Sequence, residues 1–223
     1  MRRTSASVST VLALGLLLSA CGSGEEEPPQ AVQQCDETLS PTAVGALESV
    51  LGTKEFHSEG TGLERTVNVL VEDQARAGRQ PGHPDMCEVI ADSSPHLGVK
   101  IDFRVYEDAD RFDDGAKWTA DGRYLYGMGR EASANNRTAD LFVGCSSSRL
   151  KGAEEEPAPI AGSLRFDKPV KGAYPANTSA TREAYLTVLH SVTLAVVKEL
   201  GCENNAGLPE KPVFEEKKWR GEQ

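Results

Sequence analysis

The sequence predicts an α+β domain, in which an antiparallel sheet carries helices packed mainly on one face and two disulfides cross-link the chain. Three observations favour this class. Apolar residues recur at helical spacing towards both ends of the chain, the middle shows the two-residue period of strands, and four cysteines follow residue 34. The expected order of elements is therefore two helices, several strands and a final helix.

The first helix is predicted to begin at Ser40 and Pro41. Ser40 is a favoured N-cap residue, and Pro41 suits the first helical position because its missing N–H would have no partner there. Leu39, just before the cap, can pack on Val44 as a hydrophobic staple. Gly52 is expected to end the helix, after apolar residues at helical spacing: Val44, Leu47, Val50 and Leu51.

A second helix is predicted after Thr61 and Glu64, which match the capping-box pattern. Gly78 is expected to end this helix. One face of the segment is apolar and contains Leu63, Val67, Leu70 and Val71. The alternation of Val67, Val69 and Val71 also fits a strand, so both assignments stay open for this segment.

Strands are predicted in the middle of the chain. In residues 99–106, Val99, Ile101, Phe103 and Val105 alternate with polar or charged residues, which is typical of an antiparallel strand with one buried face. Further strands are predicted at residues 87–91, 123–128, 140–146 and 162–166. A wide apolar stripe then predicts a long helix over residues 179–200, which Gly201 ends.

The N-terminus has the three parts of an export signal. Arg2 and Arg3 are basic, residues 11–18 form an apolar run, and small residues precede Cys21. The apolar run is shorter than the roughly 20 residues that a membrane-spanning helix requires. We therefore interpret residues 1–20 as a signal peptide that is removed.

The end of this signal resembles the lipobox of bacterial lipoproteins, in the residues Leu18, Ser19, Ala20 and Cys21. The resemblance implies a thioether-linked diacylglycerol on Cys21 and cleavage that makes Cys21 the new N-terminus. Further acyl chains such as palmitate would hold the protein durably on a membrane. We expect a protein of the cell membrane, anchored by lipid at its extracytoplasmic face.

The domain organisation follows from composition. Residues 21–34 are expected to be the lipidated cysteine and a flexible acidic tether, because Gly, Ser, Glu, Pro and Gln dominate this stretch. Residues 35–203 are the predicted disulfide-stapled α+β domain. Residues 204–223 contain prolines and mixed charges and are expected to be a mobile or lightly docked tail.

An even set of cysteines follows the tether, namely Cys35, Cys87, Cys145 and Cys202. In an exported chain this predicts two disulfides. Four cysteines allow three connectivities, and the spacing favours Cys35 with Cys87 and Cys145 with Cys202, because each bond would join a helical segment to a strand. A zinc site is not expected, because no close pair of the C-x-x-C type is present.

Charge and motifs restrict the function classes. The formal net charge of -10, with no basic patch, argues against nucleic acid as a partner. Ser148 and Lys151 match the S-x-x-K of penicillin-binding enzymes, but the S-D-N and K-T-G elements are missing. The acidic segment 107–115 is the best cation candidate, although Phe112 occupies a position where an EF-hand needs an oxygen ligand. No metal and no cofactor is therefore predicted.

The candidate recognition surface consists of Trp118, Tyr124 and Tyr126, which lie among several glycines. Exposed aromatic side chains beside glycines often form contact surfaces. The alternative is that these three rings pack on the sheet. Because no complete catalytic motif is present in the sequence, we expect a binding protein rather than an enzyme.

The chain as a whole resembles small actinobacterial lipoproteins of unknown function. The resemblance rests on the lipobox, the acidic tether and a four-cysteine domain that begins with Cys35, Asp36, Glu37, Thr38 and Leu39. We expect a lipid-anchored binding or interaction domain of the cell envelope, whose partner is the membrane through Cys21 and an envelope protein or a small ligand. The alternatives are a small-solute-binding lipoprotein or an envelope hydrolase built from loop residues.

Overall fold

The structure is a computed structural model and describes residues 34–76, 85–106, 122–168 and 171–218. Three helices and eight strands lie in these ranges. In chain order they are α1 (Pro41–Leu51), β1 (Phe56–Glu59), α2 (Gly62–Ala75), β2 (Asp85–Ala91), β3 (Ser94–Val105), β4 (Tyr124–Tyr126), β5 (Glu131–Ala134), β6 (Thr138–Cys145), β7 (Ala158–Asp167), α3 (Ser179–Glu199) and β8 (Glu216–Lys217).

The strands of the described ranges form one antiparallel sheet with the order β1-β2-β3-β7-β6-β5-β4-β8. The predicted α+β class is therefore confirmed. Strand β7 occupies the middle of the sheet, because Leu164 pairs with Ile101 of β3 on one side and with Ala139 of β6 on the other.

The helices cover one face of the sheet. Helix α3 packs on β5, β6 and β7, α2 packs on β2 and β3, and α1 packs on α3. At Gly162 of β7, an added Cβ would lie 2.8 Å from the Phe103 ring and 3.1 Å from the Thr193 hydroxyl of α3. Gly162 therefore permits α3 to approach the sheet closely.

Helix α1 begins and ends as the sequence predicts. The Ser40 hydroxyl accepts a hydrogen bond from the Ala43 amide at 3.2 Å, and Pro41 is the first helical residue. Gly52 follows the helix with a φ of 66°, a left-handed conformation that glycine adopts without strain.

Helix α2 is confirmed as a helix, but its N-terminus is not the predicted capping box. The Thr61 side chain makes no capping hydrogen bond and instead donates to the Asp85 carbonyl at 3.1 Å. The Asp36 carboxylate takes its place and accepts from the Leu63 amide at 2.7 Å. Local sequence missed this cap because Asp36 lies 27 positions away along the chain. Gly78 lies outside the described residues.

All predicted strands are present, with ends that differ by a few residues, and the structure adds three strands that the sequence pattern does not predict, β1, β5 and β8. Strand β5 consists of Glu131, Ala132, Ser133 and Ala134, and all four are buried. Small and polar side chains give no alternation that a sequence pattern can detect. Strands β1 and β8 are too short to show a period, with four and two residues.

The two disulfides join Cys35 to Cys87 and Cys145 to Cys202, which confirms the pairing that the spacing favours. The first bond connects the chain just before α1 to β2. The second connects the end of β6 to the residues that follow α3.

The chain after α3 packs against the domain as far as it is described. Leu208 is 3% exposed, and the Pro209 carbonyl accepts a hydrogen bond from His190 of α3. Strand β8 then pairs with β4. The folded part thus continues beyond residue 203, where the sequence places the domain boundary. The mobility expected for residues 204–223 stays a prediction.

Candidate functional site

A groove of about 620 Å³ lies along helix α3, between residues 37–42 and residues 210–214. Small-molecule sites usually have volumes of roughly 300–1,000 Å³. The floor consists of Thr187, His190, Ser191, Leu194, Ala195 and Lys198. At 1.5 Å per residue, the stretch from residue 187 to 198 is about 16 Å long. The groove therefore follows three turns of one helix.

Hydrogen bonds fix the two flanking segments to α3. The Ser191 hydroxyl accepts from the Ser40 amide and donates to the Thr38 carbonyl, both at 2.8 Å. His190 Nε2 donates to the Pro209 carbonyl at 2.9 Å. Successive helical residues are about 100° apart. His190 therefore holds the C-terminal flank and Ser191 holds the N-terminal flank, from adjacent positions on one helix.

His190 is a neutral imidazole near pH 7. Its side chain is nearly inaccessible, with the residue 2% exposed. Burial lowers the pKa of His190 below its ordinary value of 6.5 and outweighs the Pro209 carbonyl and the Glu210 carboxylate, which raise it. Because a carbonyl oxygen only accepts hydrogen bonds, the single proton lies on Nε2.

Most hydroxyl groups at the groove already donate to the protein backbone. Thr187 donates to the Glu183 carbonyl at 2.7 Å, and Thr38 donates to the Cys35 carbonyl at 2.6 Å. The Ser191 hydroxyl likewise donates to the Thr38 carbonyl. A ligand therefore meets fewer available donors than the residue types suggest.

Apolar side chains complete the lining. Leu39 and Leu194 are buried at the groove, whereas Ala195 and Phe214 are half-buried there. Contact with an apolar ligand would remove the exposed part of these side chains from water, which is favourable by roughly 25 cal/mol per Å².

Charged side chains lie at the rim. Lys198 pairs with Glu210 at 3.0 Å, and both side chains remain solvent-accessible. Glu37 and Lys211 also line the groove and are exposed. These four charges sum to zero, so the rim favours neither a cation nor an anion by net charge.

Two left-handed turns set the direction of the flanking segments. Cys35, Asp36 and Glu37 have φ values of 54–58°, and residues 204–206 have φ values of 50–55°. Left-handed backbone costs roughly 1–2 kcal/mol for each residue with a Cβ. Each turn lies beside a disulfide cysteine, Cys35 or Cys202. We attribute the persistence of these turns to the cross-links and to the hydrogen bonds on α3.

The sheet face away from the helices carries a second concavity of about 430 Å³. Arg123 contacts Asp140 at 2.6 Å, and the Ser163 hydroxyl donates to the same carboxylate at 2.8 Å. The charged residues that line it are Asp85, Asp102, Asp140, Arg104, Arg123 and Arg165. Two ion pairs lie within this set, Arg123 with Asp140 and Arg165 with Asp102, whereas Asp85 pairs with Lys100. Acidic and basic side chains are equal in number, so the lining carries no net charge.

The predicted recognition surface is only partly described. Tyr126 is 2% exposed, and its hydroxyl accepts a hydrogen bond from Arg182 Nε at 2.9 Å. Burial raises the pKa of Tyr126. The Arg182 guanidinium also lies 3.5 Å from the ring centroid of Tyr124, which is 37% exposed. Trp118 lies outside the described residues. Tyr126 belongs to the core, and a recognition role for the other two stays a prediction.

The remaining candidates do not come together. Ser148 is exposed, and the segment from Ser148 to Lys151 forms turns rather than the helix that S-x-x-K requires. Cys21 and the acidic segment 107–115 lie outside the described residues. Where the chain is described, no group of three His, Cys, Asp or Glu side chains is arranged to hold a metal. Its described helices include none that is long and apolar enough to span a bilayer.

The apolar stripe that predicts α3 does not reveal the groove, because the groove lies on a different face of the helix. A second stripe was present: Thr187, His190, Ser191 and Leu194 recur at the i, i+3, i+4 and i+7 spacing of one helical face. Polar residues on an otherwise apolar helix were the available signal.

We compared the chain with models of known protein families, with curated protein sequences and with solved structures. None of the three comparisons gives a match.

Proposed function

We propose that this protein is a lipid-anchored extracytoplasmic domain of the cell envelope that binds a small ligand in the groove along α3. The lipobox residues that end in Cys21 support the anchor and its location. The single observation that supports ligand binding is the 620 Å³ groove, with its floor on one rigid helix and its two flanks fixed to that helix.

The groups at the groove favour binding over catalysis. Ser191 and His190 are adjacent in sequence, but the Ser191 proton goes to the Thr38 carbonyl and His190 Nε2 donates to Pro209. A serine nucleophile would instead donate its proton to the histidine. These two side chains hold the flanks in place and leave the space between them for a ligand.

The anchor is tested with Cys21→Ala in the producing cell. We expect the wild-type protein in the membrane fraction and its release only by detergent, because two or three acyl chains bind a bilayer durably. The Cys21→Ala protein should be soluble or remain an uncleaved precursor. Membrane association identical to that of the wild type, in a Cys21→Ala protein from which the signal peptide has been cleaved, would refute the lipid anchor.

The groove is tested by native mass spectrometry of protein isolated from membranes. Ala195→Trp places an indole in the groove from a half-buried position on α3, whereas Ala180→Trp lies exposed in the first turn of the same helix and serves as the control. We expect a bound mass on the wild type and on Ala180→Trp that is absent from Ala195→Trp. Equal bound mass on both variants, or none on the wild type, would contradict the proposal.

A further inference from the structure

We infer that the ligand of the groove is a single-chain amphiphile, such as a free fatty acid or a lysolipid, whose chain lies along α3 and whose head remains at the rim. This inference rests on the proposed function and specifies its ligand class. It follows from the length of the groove, the hydrogen bonds of its lining and the position of its charges.

The shape of the groove favours a chain over a compact ring system. Its floor extends over three turns of α3, about 16 Å at the helical rise. Leu194 and Ala195 lie between Ser191 and Lys198 on this floor, and Phe214 adds an aromatic side chain from the C-terminal flank. An extended hydrocarbon chain contacts all of these side chains at once.

The hydrogen bonds of the lining favour an apolar body. The hydroxyls of Thr38, Thr187 and Ser191 all donate to backbone carbonyls. Their protons are already used within the protein, so a polar ligand finds few free hydroxyl donors along the floor. A hydrocarbon chain leaves every one of these bonds in place.

The charged side chains at the rim favour a ligand whose head group remains hydrated. Lys198, Glu210, Lys211 and Glu37 carry the ionised groups at the groove, and each is exposed. Exposed charges remain solvated, so the head of an amphiphile keeps its water while its chain is buried.

A series of saturated fatty acids tests the ligand class. The mature chain with Cys21→Ala, prepared without detergent, is titrated calorimetrically with butyric, hexanoic, octanoic and decanoic acids below their micelle concentrations. Each buried methylene contributes about 0.8 kcal/mol, so we expect affinity to rise about four-fold per methylene. An affinity that is independent of chain length would overturn the inference.

Two variants locate the binding. Ala195→Trp and Thr42→Trp approach the groove from α3 and from α1, and Thr42 is exposed, so its replacement spares the core. We expect both to lose at least ten-fold in decanoic acid affinity while Ala180→Trp retains the wild-type value. Unchanged binding in both groove variants would place the fatty acid elsewhere and overturn the inference.

The outcomes also separate this inference from the proposed function. A polar molecule found on the isolated protein, lost in Ala195→Trp, together with a flat fatty acid series, would leave the binding function standing and reject the amphiphile. A second comparison uses the lipidated protein in lipid nanodiscs. If it does not bind decanoic acid while the Cys21→Ala chain does, the chain's own anchor fills the groove. That result would overturn a free amphiphile as the ligand.

Discussion

His190 contributes both to the stability of the folded protein and to the geometry of the groove. It lies on the floor, nearly inaccessible, and its Nε2 holds the C-terminal flank through Pro209. Glu210, the nearby titratable group, raises its pKa, but burial lowers the pKa by more. The folded protein therefore binds a proton at His190 less readily than the unfolded chain does.

We predict that acid destabilises the protein through His190. The stability contribution is complete above the unfolded value of 6.5 and is lost as pH falls below it, because the unfolded chain then binds more protons. The slope from one such group is at most about 1.4 kcal/mol per pH unit. Urea unfolding between pH 8 and pH 5 should show a shallower decline for His190→Gln, which keeps a donor but does not titrate. Parallel pH profiles would refute this role.

Asp36 is the second residue whose role depends on a distant partner. It caps α2 across 27 positions of sequence, through the Leu63 amide. A carboxylate at a helix N-terminus both accepts a free N–H and interacts favourably with the helix dipole. The turn that carries Asp36 also directs Glu37 to the groove, so the cap and the groove share one segment.

We predict that Asp36→Ala costs about 1 kcal/mol of stability, the usual effect of a lost N-cap. Thr61→Ala is the matched control, because Thr61 occupies the N-cap position without capping. Chemical denaturation should show the smaller loss for Thr61→Ala. A larger loss there than in Asp36→Ala would contradict the role of Asp36 as the cap of α2.

At the scale of elements, α3 has two functions. One face packs on β5, β6 and β7, and the face that carries Thr187, His190, Ser191 and Leu194 forms the groove floor. The helix is therefore buried over most of its circumference. Cys202, directly after it, is bonded to Cys145 at the end of β6. This bond fixes the end of α3 near the point from which the C-terminal flank departs.

We predict that replacing both Cys145 and Cys202 with alanine lowers the free energy of unfolding by about 2–4 kcal/mol, because the unfolded chain loses a cross-link. The bond closes a separation of 57 residues. Ligand affinity should fall as well, since the turn at residues 204–206 loses its anchor. Thermal unfolding and the fatty acid titration measure the two effects. An unchanged free energy of unfolding would show that the packing of α3 holds the helix in place without the disulfide.

At the scale of the whole molecule, the chain after α3 completes both the sheet and the groove. It contributes β8 beside β4 and the flank at residues 210–214. A segment that was only a tail would contribute neither.

We predict that ending the chain at Leu208 lowers Tm by about 5 °C or more, because the loss of the His190 bond, the Lys198–Glu210 pair and the Phe214 contact amounts to about 2 kcal/mol. Fatty acid binding should be abolished, since one flank of the groove is removed. Calorimetry of the truncated and full chains provides the measurement. Equal Tm and equal affinity would support the mobile tail that the composition suggests.

The sequence by itself determined the elements whose physics is local. Ser40, Pro41 and Gly52 define α1 because caps and glycine act within a few residues. The alternation of Val99, Ile101 and Phe103 defines β3 because side chains of a strand alternate between its faces. The even set of four cysteines likewise predicted two disulfides, and both are present.

Tertiary structure decided what depends on residues far apart in sequence. Asp36 reaches α2, β5 forms from small buried residues, and the groove joins segments near residues 40, 190 and 212. No local period encodes these contacts, because they arise only when the chain closes loops of up to 153 residues, as between Thr38 and Ser191. The candidate site is therefore a property of the fold, whereas the anchor at Cys21 is a property that the sequence alone proposes.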